Sequence, residues 1–152
     1  MNKLYRLTKV GIKELEDELA VLIAKRGPIA DAIKTARELG DLAENAEYQA
    51  ARQEQDRTET RISEVEHILR NAELIKESKG DSKVRLGSRV KLKSGGKTKD
   101  FQVVGTVEAD PLEGKISDES PLGQAVIGKK VGDEVEIVTP AETATYKVVE
   151  IS

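Results

Sequence analysis

The sequence predicts an α+β protein in which a long antiparallel coiled-coil hairpin precedes a small antiparallel sheet domain with one short helix. Three observations carry that prediction. Turn-forming residues are unevenly spread, with three Gly and one Pro in residues 1–76 against nine Gly and three Pro in residues 77–152. Two apolar series with alternating three- and four-residue steps lie in the first half. Short β-branched runs bounded by Gly, Pro or Asp fill the second. Charge is nearly balanced within each half, 13 basic residues against 15 acidic and then 12 against 13, so the division is architectural. The expected domains are therefore 1–76 and 77–152, joined by the polar run Glu77-Ser78-Lys79-Gly80-Asp81-Ser82.

The first arm of the hairpin follows from Ile12, Leu15, Leu19, Leu22, Arg26, Ile29, Ile33 and Ala36, in which only Arg26 breaks the apolar series. The second arm follows from Tyr48, Ala51, Gln55, Thr58, Ile62, Val65, Leu69 and Ala72. Read in reverse, the two series pair 12 with 72, 15 with 69 and so on to 36 with 48, every pair adding to 84. A fold at residue 42 brings both seams into register, with Arg26 beside Thr58 and Ile29 beside Gln55. Each arm is then about 30 residues, roughly 45 Å at 1.5 Å per residue. Thr8 is placed to cap the first arm, Gly40 to end it in a positive-φ conformation, and Asp41 to cap the second. Gly27-Pro28 interrupts the first arm, since Pro28 has no amide for the Ala24 carbonyl, so a kink is expected there.

In the second half, strands are expected at Ser88–Leu92, Phe101–Gly105, Val131–Val138 and Tyr146–Ile151, with Gly95-Gly96 as a hairpin turn. One helix interrupts them: Ser120-Pro121 supplies a cap and a first-turn proline, Leu122, Ala125 and Val126 an apolar face, and Gly128 the end. A curled sheet packed on that helix is the simplest arrangement.

Composition removes several chemistries. The 152 residues include no Cys, which excludes disulfides, thiolate metal clusters and thiol catalysis, and a single His67 lying off the seam without a partner acid. The start, MNKLYRLTKVG, lacks the apolar run of a signal peptide, and no stretch approaches membrane-spanning length. A soluble cytoplasmic protein with no membrane partner is the expectation. A net charge of −3 disfavours nonspecific coating of nucleic acid and leaves room for a local basic patch. No glycine pattern matches a nucleotide loop.

The turn between the arms holds the candidate chemistry. Asp41 and Glu44 stand three residues apart, which puts two carboxylates on one face at the apex of the hairpin. The same Asp-x-x-Glu spacing before a helix is a capping box, so a purely structural role stays open. Two solvated carboxylates are half of a Mg²⁺ site, because that ion keeps its waters and takes further ligands from phosphates or other carboxylates. Delivered into another protein's phosphoryl-transfer centre, the pair can help hold a second cation and orient a water. Lys34, Arg37 and Arg52 lie within about two to three turns of the apex, where a phosphate backbone can run, or form ordinary helix-surface charge. Asn45 is expected to support the turn, and Tyr48 to pack in the seam with its hydroxyl outward.

Two stretches resemble a known family. Residues Ala36-Arg37-Glu38-Leu39-Gly40-Asp41-Leu42-Ala43-Glu44-Asn45-Ala46-Glu47-Tyr48 are similar to the tip of the Gre family of bacterial transcript-cleavage factors. Residues Ser117-Asp118-Glu119-Ser120-Pro121-Leu122-Gly123-Gln124-Ala125-Val126-Ile127-Gly128 are similar to a second segment of the same family. The resemblance implies an FKBP-like C-terminal domain that binds bacterial RNA polymerase, with Ser120, Pro121 and Leu122 as its partner-binding segment. It implies a coiled coil inserted into the secondary channel, where Asp41 and Glu44 help position the second Mg²⁺ and the hydrolytic water at the 3′ end of backtracked RNA. Arg37 and Arg52 match the family's basic patch, whereas its position 43, often basic or hydroxyl-bearing, is Ala43 here. On this reading the factor lends acids in trans to the polymerase, is no standalone nuclease, and is a monomer when free. A channel-plugging inhibitor and a non-catalytic coiled-coil adaptor are the alternatives. The C-terminal half lacks the aromatic cluster of a prolyl isomerase pocket, so that activity is not expected.

Overall fold

The computed structural model describes residues 4–41, 44–76, 83–138, 140 and 143–152. These fall into two compact units, one made of Ile12–Asn71 and the other of residues 4–11 together with Ala72–Ser152. The architecture is α+β, a helical N-terminal region followed by a C-terminal sheet. The expected linker at 77–82 lies outside the described residues, as do positions 42–43 of the turn.

The helical unit contains most of α1 (Lys9–Ala24), then α2 (Arg26–Arg37) and α3 (Ala46–Arg70). Its periodicity is the one the sequence carries. Leu15, Leu22, Ile29, Ile33 and Ala36 are buried on one side, and Thr58, Ile62 and Val65 on the other. Arg26 is the exception that the apolar series marks, but it does not form a layer with Thr58. Thr58 is buried, whereas the Arg26 guanidinium is exposed and donates two hydrogen bonds of 2.9 Å to the Glu59 carboxylate. Solvating the charge at the rim avoids the desolvation that burial beside a hydroxyl would impose. A second fork joins Arg61 to Glu18, with both bonds at 2.7 Å. Partner numbers rise on one side as they fall on the other, 18 to 61 and 26 to 59, so α3 runs back alongside α1 and α2.

The interruption set by Pro28 falls at Lys25. Lys25 keeps helical dihedrals, φ −72° and ψ −18°, so the break is one of hydrogen bonding. The ladder resumes when the Ile29 amide donates to the Lys25 carbonyl at 3.0 Å. The rung between them, Pro28 to Ala24, has no donor.

Thr8 caps α1 as expected, its hydroxyl oxygen accepting from the Gly11 amide at 3.1 Å. The cap has a distant partner that the sequence did not reveal. Glu108 accepts from the Thr8 amide at 2.8 Å and from the Thr8 hydroxyl at 2.6 Å. A Cβ on residue 11 would meet the Glu108 carboxylate, which would have to move from its bonds to Thr8 to make room.

The second unit is built on a five-stranded sheet of order β5-β4-β3-β7-β6, from β3 (Arg89–Ser94), β4 (Lys97–Val104), β5 (Lys115–Ser117), β6 (Glu134–Val138) and β7 (Thr143–Ile151). All four expected strands are present, and Gly95 and Gly96 make the two-residue hairpin between β3 and β4, both at positive φ as a type I′ turn requires. The expectation of a wholly antiparallel sheet is corrected at one edge, where β5 runs parallel to β4. A chain leaving β4 passes through a 3-10 turn at Pro111–Glu113 before β5, which provides the crossover that a parallel pair needs. Inward positions alternate: Val90 and Leu92 on β3, Val103 on β4, Val135 on β6 and Val148 on β7 pack on Val126 of α4 (Pro121–Val126). A register shift between Lys91 and Leu92 leaves Val149 unpaired, which keeps Leu92 opposite Val148 and both of them inside.

Two further strands, β1 (Tyr5–Leu7) and β2 (Ala72–Leu74), pair in parallel. They correct the seam at its lower end, because Ala72 sits in β2 opposite Tyr5 and does not pair with Ile12 as a helical residue. Leu7 is fully buried, and its carbonyl accepts from the Ile75 amide at 2.8 Å.

Ile62, 3% exposed at the centre of the seam, sets the scale of its stability. Ile62→Ala is expected to cost about 2–5 kcal/mol in chemical denaturation. Hydrogen bonds from Arg61 hold the Glu18 carboxyl below the ordinary glutamate range, outweighing the partial burial that pushes the other way. Because the folded value is the lower one, the pair's contribution is present above the unfolded pKa and is lost as pH falls through the folded pKa. Both side chains are more than a third exposed, so that contribution is about 1 kcal/mol or less. Glu18→Gln should flatten the acid limb of stability against pH in thermal melts and leave neutral-pH stability within that amount.

Candidate functional site at the helical turn

The turn is entered from α2, whose C-cap is Glu38. Leu39 follows with its amide donating to the Ala36 carbonyl at 3.1 Å, and Gly40 then takes a positive φ of 122°, which ends the helical course as expected. On the far side, α3 begins at Ala46. Its N-cap is Asn45, with φ −84° and ψ 99° and a side chain that accepts from the Tyr48 amide at 3.0 Å. This corrects the expectation that Asp41 caps the second arm. Asparagine is as good a cap as aspartate, and the helix starts at the residue nearest to it that can serve.

Asp41 and Glu44 are both exposed. They stand on either side of 42–43, with Glu44 immediately before the cap. No cluster of three or more His, Cys, Asp or Glu able to hold a metal occurs among the described residues. The two carboxylates are thus hard oxygen donors of the right type for Mg²⁺ but too few to complete its shell.

The basic residues are divided in what they touch. Lys34 and Arg37 occupy the last turn of α2, where the negative end of the helix dipole favours cations. The Arg37 guanidinium lies 5.9 Å from the centroid of the half-buried Tyr48 ring, at the outer range of a cation–π contact. Arg52 is exposed and donates to Gln55 Oε1 at 3.0 Å on its own helix. Sequence reasoning gave Tyr48 to the seam and did not pair it with Arg37.

Asn45 supports the turn as expected, and in two ways. Besides capping α3, its Nδ2 donates to the Ala36 carbonyl at 2.6 Å, tying the start of one helix to the end of the other. The available signal was its position directly before Ala46-Glu47-Tyr48, with an acidic first-turn residue behind it.

The Ser120-Pro121-Leu122 segment opens α4 in the sheet unit. Ser120 Oγ accepts from the Gly123 amide at 3.0 Å and donates to the Ser117 carbonyl at 2.6 Å. Leu122 is half-buried against the core and Pro121 is exposed. A side chain on residue 123 would collide with the Ser117 carbonyl, so the turn admits only glycine there. His67 is exposed, with Asn71 Nδ2 3.4 Å from its Nδ1.

No helix among the described residues is long and apolar enough to cross a membrane. Residues 5–74 match the family description "Transcription elongation factor, N-terminal", and residues 78–152 match "Transcription elongation factor, GreA/GreB, C-term". Transcription elongation factor GreA of Lactococcus lactis subsp. cremoris (strain MG1363) is 45% identical over 155 residues, covering 99% of this chain and 99% of its own. The GreA of Acholeplasma laidlawii (strain PG-8A) is 51% identical over 138 residues, covering 89% of this chain and 87% of its own. A solved structure of the transcription factor Gfh1 is 34% identical over 99% of both chains, with a TM-score of 0.49. With both halves matched, and with relatives this similar along nearly its whole length, the chain belongs to the GreA/GreB family of transcription elongation factors.

Proposed function

We propose that this transcription elongation factor binds bacterial RNA polymerase, places its helical turn in the secondary channel and stimulates cleavage of backtracked nascent RNA. The observation that carries the reading is the turn itself. In a chain of this family, two exposed carboxylates flank the point where the helices reverse, with Lys34, Arg37 and Arg52 on the adjoining helices. The helices act as an antiparallel coiled coil and the sheet unit as an FKBP-like docking domain, in which exposed Pro121 at the start of α4 meets the polymerase. Ser120 and Leu122 hold that turn in shape.

Asp41 and Glu44 would hold a Mg²⁺ through their carboxylate oxygens, with the polymerase and the RNA completing the ligand set that two carboxylates cannot supply. When bound, the ion supplies charge neutralisation at the phosphodiester to be cut. The two side chains also accept hydrogen bonds from the attacking water and so orient it. Arg37, Arg52 and Lys34 attract the RNA backbone toward the turn. The factor is a monomer in the cytoplasm and lends its acids in trans, with no nuclease activity of its own.

Stalled, backtracked polymerase complexes with labelled RNA test this. The wild-type chain with Mg²⁺ should release short 3′ fragments. Asp41→Asn and Glu44→Gln should each slow that release roughly a hundred-fold, the scale of losing a group that orients or activates water. Competition binding to the polymerase should stay within about two-fold. Wild-type cleavage by both variants would remove the turn from the mechanism. Slowed nucleotide addition on every template without fragment release would point to a plug instead.

A further inference from the structure

The turn must present Asp41 and Glu44 in a defined geometry although both are exposed, so something outside the pair has to fix its two ends. Among the described residues, Asn45 is a side chain that hydrogen-bonds to both ends. Its Oδ1 accepts from the Tyr48 amide at 3.0 Å on α3, and its Nδ2 donates to the Ala36 carbonyl at 2.6 Å on α2. The chemistry of the partners fixes the orientation of the amide. An N–H needs an acceptor and a carbonyl needs a donor, so a flipped side chain would lose both bonds. The Ala36 carbonyl already accepts from the Leu39 amide at 3.1 Å, and the Asn45 bond occupies its second lone pair. Ala36 is only 3% exposed, so this carbonyl has little water to turn to when Asn45 is removed. Beside this bridge, the guanidinium of Arg37, one residue past Ala36, lies 5.9 Å from the ring centroid of Tyr48, the residue whose amide Asn45 caps.

We infer that Asn45 is the positioning residue of the turn. Its amide closes α3 with one atom and holds α2 with the other, and so sets the span across which Asp41 and Glu44 are presented. This rests on the cleavage reading above. Few side chains can replace it. Aspartate keeps the acceptor for Tyr48 but sets an oxygen against the Ala36 carbonyl. Serine keeps a cap yet is too short to reach Ala36 while doing so. Glutamine places the amide one methylene too far for the cap.

Asn45→Ser separates the two bonds, because it retains the cap and loses the bridge. In the fragment-release assay, Asn45→Ser and Asn45→Asp should each cleave at least ten-fold more slowly than wild type. The Mg²⁺ concentration for half-maximal cleavage should rise several-fold. Competition binding to the polymerase should stay close to wild type, and the thermal midpoint of the Asn45→Ser chain should fall by only about 2–4 °C, the scale of one hydrogen bond. Asp41→Asn is run beside them. Wild-type cleavage and Mg²⁺ dependence in Asn45→Ser, with Asp41→Asn inactive, would overturn the positioning role and leave the acid pair standing. Loss of cleavage matched by an equal loss of polymerase binding would also overturn it, by showing that Asn45 serves docking. Wild-type cleavage by Asp41→Asn would bring down the cleavage reading, and the positioning role with it.

Discussion

Register between the helices is the constraint from which the turn inherits its geometry. Ile29, Ile33 and Ala36 can be buried only if Thr58, Ile62 and Val65 face the same seam. A slip by one residue on a helix rotates each of them by about 100° and would bring a charged neighbour into the core. The Arg26–Glu59 and Arg61–Glu18 forks contribute little stability at their exposure, but a bidentate pair is demanding in direction. They make the alternative registers worse more than they make the native one better. With register set along the seam, the Asn45 amide reaches the Ala36 carbonyl at 2.6 Å and fixes the span between the helix ends.

Charge at the turn obeys two demands at once. The end of α2 carries Lys34 and Arg37, and the start of α3 carries Glu47 just after Glu44, which is how charges are arranged to complement helix dipoles. Acidic and basic residues would be expected there in a helical hairpin with no partner at all. What the dipoles do not demand is two carboxylates on exposed positions on either side of 42–43, outside both helices. The structural and functional explanations of this turn therefore divide by residue. Asn45 and Arg37 make contacts from one helix end to the other, whereas Asp41 and Glu44 lie exposed outside both helices.

Legibility in the sequence followed the range of the interactions. The helical periodicity of each arm, the cap at Thr8, the Pro28 break, the Gly95-Gly96 hairpin and the Ser120-Pro121 helix start all arise within a few residues, and each was readable. Asp41 was mistaken for the cap because Asp-x-x-Glu is a strong local pattern, and the competing Asn45 stood four residues closer to a helix whose first turn was hidden among good helix formers. The parallel β1–β2 pair and the parallel edge strand β5 were invisible for the opposite reason. Each is three residues long and depends on partners remote in the chain. Ala72 was read as the last step of the seam because its spacing fits, and tertiary pairing with Tyr5 overrode it. Arg26 shows a different limit, since periodicity marks a position as facing the seam but does not say whether a long side chain bends out of it.

The β1–β2 pair also determines how the chain can be rearranged. Leu7 and Leu74 lie directly across from each other, so the polypeptide departs toward the helices and comes back at neighbouring points. Topologically the helices are an excursion from a body that already has both its entry and its exit stitched together. Such a segment behaves as an exchangeable cassette: another two-helix hairpin with ends equally close could be grafted between the same strands while the Leu7–Leu74 stitch is kept. Evolution has the same freedom, and different tips could be carried on one conserved base.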